Sequence, residues 1–164
     1  MNDNQLFALR IFDVDTAVLI AKNWATHAIS ILDTDRDESS PIPQSRKGLL
    51  LHRCYFDDIV RTSRLGLVLA TLEDIQAILN FTQYLTKNDK LLIHCGAGIS
   101  RSTAVATGVL CQHGLTPVKA LERVYFIRKM ADPNEHIIAL MDEALGLKGA
   151  LRTAFWNVYY ASKQ

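Results

Sequence analysis

Long apolar runs are missing from this chain of 164 residues, and none approaches the ~20 that a membrane-spanning helix needs. An excess of one charge is missing too. Lys and Arg total 18 against 17 Asp and Glu, a formal net charge of +1, which argues against bulk nucleic-acid binding. Cysteine is sparse: Cys54, Cys95 and Cys111 form an odd trio without paired spacing. That argues against a disulfide framework and for a reduced, cytoplasmic setting. No internal repeat is present. The opening Met1-Asn2-Asp3-Asn4-Gln5 is polar and lacks the basic region of a signal peptide. What remains is a chain 49% hydrophobic, enough to expect one domain over 1–164 with a real core and no extended disorder.

The chemistry is concentrated in Lys90-Leu91-Leu92-Ile93-His94-Cys95-Gly96-Ala97-Gly98-Ile99-Ser100-Arg101-Ser102. An apolar run ends in Cys95, a glycine-rich turn follows, and Arg101 opens a helical pattern. Strand, tight loop and helix N-terminus in that order make an anion cradle. Successive backbone N–H groups can converge on one ion, and the helix adds unpaired amides and the positive end of its dipole. Such a field favours the thiolate form of a cysteine at its mouth, so Cys95 is the candidate nucleophile. Arg101 offers a planar fork for two phosphate oxygens. Ser102 can hydrogen-bond the sulfur, and His94 is read as a brace donating to loop carbonyls.

The pattern His94-Cys95-x-x-Gly98-x-x-Arg101-Ser102, with five residues between Cys95 and Arg101, resembles the signature of the cysteine-dependent protein tyrosine and dual-specificity phosphatases. Together with Phe56-Asp57-Asp58-Ile59 and Asp132-Pro133-Asn134, it looks most like the small bacterial members. The resemblance implies an α/β fold, a mostly parallel central sheet flanked by helices with a helical C-terminal half. It also implies a cysteinyl-phosphate mechanism. In it Gly96, Ala97, Gly98, Ile99, Ser100 and Arg101 bind phosphate, with neither metal nor cofactor.

Periodicity agrees with that fold. Strands are expected at Leu6–Phe12, Thr26–Leu32, Leu49–Phe56 and up to His94. Asp13 or Asp15 caps a first helix through Asn23. Thr71 with Asp74 marks a second, Thr116-Pro117 another, and Asp132-Pro133 with Glu135 a further one. Leu151–Ala161 carries a last amphipathic stripe of aromatics. The acidic, proline-containing stretch from Asp33 to Gly48 reads as a solvated loop, and Val60–Ala70 as a loop or broken helix. Arg61 and Arg64 read as surface charge.

A phosphate ester also needs an acid to protonate its leaving oxygen. The resembling enzymes place it thirty-odd residues before the nucleophile, which points to Asp58 with Asp57 as the alternative. Adjacent carboxylates raise each other's pKa, which would help one of them stay protonated. Some relatives also protect the nucleophile through a second cysteine on a neighbouring strand, so the resemblance admits a Cys54–Cys95 disulfide. The expected partner is a phosphorylated protein or small phosphomonoester, with no nucleic acid and no membrane. A non-hydrolysing phosphoprotein-binding module with the same loop is the alternative. Arsenate reduction is a further rival, and for it only Cys54 could serve as a resolving thiol.

Overall fold

In the computed structural model, which describes residues 6–62 and 65–163, the chain alternates strand and helix and then turns wholly helical. Its elements are β1 (Ala8–Phe12), α1 (Val14–Asn23), β2 (His27–Leu32), β3 (Leu50–Tyr55), α2 (Leu72–Thr82) and β4 (Lys90–His94). They continue as α3 (Arg101–Gln112), α4 (Pro117–Ile127), α5 (Glu135–Ala144) and α6 (Ala150–Ser162). The strands form one sheet in the order β1-β4-β2-β3, and every pairing is parallel. Arg64 lies outside the described residues. Its described neighbours 60–62 and 65–70 form no helix or strand.

A central parallel strand is buried on both faces and so is apolar throughout. Leu91 and Ile93 of β4 join the main core beneath α2–α6, whereas Leu92 points the other way, against Ala17 and Ala21 of α1. Because the strands are parallel, their carboxyl ends share one edge, where open α/β sheets place their sites. Phe12 of β1 and Ser30 of β2 both lie opposite His94 at the end of β4. The residues that follow the four strands, from Asp13, Asp33, Phe56 and Cys95 onward, therefore meet around one crevice.

Helix α3 runs back from that crevice, and it is buried from Arg101 through Leu110. Its small residues allow this enclosure: a Cβ built on Gly108 would stand 2.5 Å from Met141 Cγ of α5.

Caps formed largely where the sequence placed them. Asp13 accepts from Thr16 N at 2.9 Å, and Thr71 with Asp74 makes a reciprocal capping box. The helix expected to open at Asp132-Pro133 instead opens at Glu135, capped by the Asn134 side chain, which accepts from Ile137 N at 3.1 Å. The backbone before it is already committed: Asp132 N donates to Ile99 O and Asn134 N to Ser100 O. Helical dihedrals begin only once the chain leaves those acceptors.

The expected adjacency of Cys54 and Cys95 fails. Strand β2 lies between β3 and β4, and two strand spacings amount to about 10 Å. A disulfide bridges Cα atoms no more than ~7 Å apart. Both thiols are free, and burial pushes Cys54 up to about 12.

Candidate active site

The loop from Cys95 to Ser100 is held from outside by its carbonyls. Cys95 O accepts from His94 Nδ1 at 3.2 Å, Gly96 O from Val14 N at 3.1 Å, and Ala97 O from Arg128 Nη2 at 3.1 Å. Gly98 O accepts from Arg128 Nε at 3.0 Å, Ile99 O from Asp132 N at 2.9 Å, and Ser100 O from Asn134 N at 3.1 Å. In a trans peptide the N–H of the next residue points opposite to the carbonyl. Six outward carbonyls therefore turn the amides of residues 96–101 inward. Gly98 makes the curl possible: its φ is +67°, and it passes so close to β1 that an added Cβ would stand 2.4 Å from Phe12 C.

Arg101 caps the bowl. Its side chain is buried, and Nη1 is fixed twice, donating to Phe56 O at 2.8 Å and pairing with Asp33 Oδ1 at 2.7 Å. Nε is buried without a hydrogen-bond partner, and Nη2 donates to none of the described residues. Two N–H groups on one edge of a guanidinium form the fork that meets two oxygens of a tetrahedral anion. Leaving a buried donor unpaired costs about 1–3 kcal/mol, so Nε has a donor to offer an outside acceptor. Cys95 Sγ lies 3.2 Å from Ser102 Oγ. A cavity of about 270 Å³, walled in part by Asp33, Gly96 and His94, leads to Cys95.

His94 is fully buried, and burial, reinforced by the charge of Arg101, lowers it to about 4 from an ordinary 6.5. The neutral ring donates through Nδ1 to Cys95 O and accepts at Nε2 from the Ser30 hydroxyl. Below pH 6.5 the unfolded chain takes up a proton that the folded protein refuses. The stability due to neutral His94 is therefore present above pH 6.5 and is lost as the pH falls toward 4. The expected loss is about 3 kcal/mol. Urea denaturation across that interval measures it, and a His94→Asn variant should show a shallower slope.

The acid-bearing segment follows β3. Asp57 is buried and accepts from Thr34 N at 2.9 Å, Thr34 Oγ1 at 2.6 Å and Val68 N at 2.7 Å. Burial alone would raise its carboxyl, but these bonds and the Arg101 charge outweigh it and hold Asp57 below the usual carboxylate range. The mutual raising expected of neighbouring carboxylates is thus overturned at Asp57. Asp58 is exposed, and its Oδ1 accepts from Ser100 Oγ at 2.7 Å and from Asn134 Nδ2 at 2.8 Å.

No family model matches this sequence, and no curated protein does. Solved structures do. Human DUSP28 superposes with a TM-score of 0.56 at 23% identity, over 86% of this chain and 94% of its own. DUSP15 gives 0.54 at 24%, over 93% and 92%. PTPMT1 in complex with PI(5)P gives 0.57 at 18%, over 87% and 94%. The chain has the dual-specificity phosphatase fold.

Within that fold the predicted loop residues, from His94 to Ser102, converge at the carboxyl edge of the sheet, with Asp58 tied to the loop through Ser100. Three contributors were missed in the sequence. Asp33 belongs to a stretch read as solvated, yet its carboxylate holds Arg101 while remaining 46% exposed. Its place immediately after β2 was the available signal, because every strand of this fold delivers its next residue to the same edge. Asn134 enters the sequence reading only within the Asp132-Pro133-Asn134 motif, although its amide nitrogen reaches Asp58 and Ile59 O. Arg128 has no part in the sequence reading of the site. It lies just past α4 and holds two loop carbonyls, and no spacing in the sequence announced that.

Proposed function

We propose that this protein is a cysteine-dependent phosphomonoester hydrolase of the tyrosine or dual-specificity type, acting on phosphorylated protein through a cysteinyl-phosphate. One observation carries the reading: the loop that joins Cys95 to the buried Arg101 has its carbonyls from residues 95–100 all bonded to outside donors, and Arg101 Nε is left unpartnered. Likeness to solved dual-specificity phosphatases supports it.

In this reading the Cys95 sulfur attacks phosphorus in line. An S–P bond forms as the ester P–O bond breaks, and charge spreads over three oxygens held by the loop and Arg101. Asp58 protonates the departing oxygen. Its Oδ1 already accepts two hydrogen bonds, which leaves Oδ2 to carry the proton. Water then attacks phosphorus with Asp58 as base, the S–P bond breaks, and the Ser102 hydroxyl stabilises the departing sulfur. Asp57, ionised and fully bonded, instead ties the acid segment to Thr34 and Val68.

Asp58→Asn tests the assignment. Phosphate release from an alkyl phosphomonoester should fall about 10²–10³-fold, and release from p-nitrophenyl phosphate far less, because nitrophenolate leaves without a proton. An Asp57→Asn variant showing that pattern, with Asp58→Asn unaffected, would move the acid by one residue. No phosphate release from either substrate by the wild type would sink the reading.

A further inference from the structure

A second cavity, of about 550 Å³, opens on the far side of Asp58. It shares Asp58 and Ser100 with the acid segment and the loop. One wall is aromatic, made by Phe155, Trp156 and Tyr159 of α6, and Asp132 and Glu135 border it. Nothing in the catalytic reading uses these side chains. We propose that this cavity is a subsite for an arginine or lysine side chain flanking the phosphorylated residue of a peptide substrate, a proposal that rests on the phosphatase reading above.

Charge and chemistry carry the assignment. Among the described lining residues, three carboxylates, Asp58, Asp132 and Glu135, stand against one cation, Arg61. The cavity beside Cys95 repeats the bias, with Asp15, Asp33 and Asp37 against Arg36. In the described linings of both cavities carboxylates outnumber cations, which disfavours a polyanionic ligand and attracts a phosphate carried on a cationic chain. An aromatic wall bordered by carboxylates fits a guanidinium or ammonium, which stacks on the ring and pairs with the acid. The chain supplies its own example: the Lys163 ammonium stands 4.2 Å over the Tyr159 ring, and its hydrogen bond to the Tyr159 hydroxyl, with a smaller contribution from Asp132, raises its pKa.

The test measures binding of fluorescent phosphotyrosine peptides to the Cys95→Ser protein, with the flanking residues set to Arg, Ala or Glu. The Arg-flanked peptide should bind about tenfold more tightly than the Glu-flanked one at low salt. Glu135→Lys and Trp156→Ala should each bring that ratio toward unity. Equal affinities, tighter binding of the Glu-flanked peptide, a ratio unmoved by both substitutions, or tighter binding of short-chain phosphatidylinositol 5-phosphate would each overturn the subsite. Hydrolysis of p-nitrophenyl phosphate by the wild type is measured alongside. Its failure would overturn the catalytic reading, whereas the affinity ratio would still judge the cavity.

Discussion

Cys95→Ser is expected to lower p-nitrophenyl phosphate turnover at least roughly ten-thousand-fold while changing the affinity for inorganic phosphate or tungstate by no more than about threefold. The two halves of that result have separate causes. Anion affinity comes from the inward amides and from the Nε and Nη2 edge of Arg101, none of which the substitution touches. Turnover needs a nucleophile, and a hydroxyl in place of the thiol would require a base to activate it. The nearest ring, His94, cannot serve: both its nitrogens are engaged, by Cys95 O and the Ser30 hydroxyl. Steady-state kinetics with calorimetric anion titration makes the measurement. Residual turnover near the wild-type rate would remove Cys95 from the reaction, and loss of anion binding would remove the loop as cradle.

Gly98→Ala is expected to damage stability and catalysis together. The position has φ +67°, and an alanine Cβ there would come within 2.6 Å of Phe12 C, Phe12 O and Asp13 N. These are backbone atoms at the end of β1, which is paired to β4 through Phe12 and His94, so they have little room to yield. The loop cannot easily retreat either, because Arg128 holds the carbonyls of Ala97 and Gly98. Positive φ and backbone overlap together should cost about 2–4 kcal/mol. Roughly 2–4 °C of Tm accompanies each kcal/mol in a chain of this length. A loop displaced by about 1 Å should also lower kcat/KM near 100-fold. Calorimetry and kinetics on one preparation test both, and an unchanged Tm with wild-type kcat/KM would mean that the close approach to β1 is not required.

The loop from Cys95 to Arg101 was legible as a strand–turn–helix junction because all its parts are local. One strand, one turn and one helix start place His94, Cys95, Gly98, Arg101 and Ser102 within nine consecutive residues. Their mutual geometry depends mainly on dihedrals that local sequence governs. The capping box at Thr71 and the proline start at Pro117 were readable for the same reason: a cap satisfies amides within its own first turn. Reading failed where a side chain's partner lay far along the chain. Asp33 looked like one acid among several in a polar loop, but the parallel register of β2 against β4 carries it to Arg101. The resemblance admits a Cys54–Cys95 bond, but β2 lies between their strands.

The sequence by itself determined the strand–helix alternation, the cysteine–arginine loop and the pair of candidate carboxylates. Period-two and helical apolar patterns, glycine spacing and residue chemistry act over a few residues. Only the tertiary structure decided which carboxylate is buried against Thr34 and which faces the loop. It also decided which side chains and which backbone amides hold the six loop carbonyls, and that an acidic, aromatic-walled cavity stands beside Asp58. Those outcomes depend on strand order and on how α4 and α5 pack on α3 and α6 packs on both of them. Such contacts join residues distant in sequence, and their identity is not encoded in either partner alone.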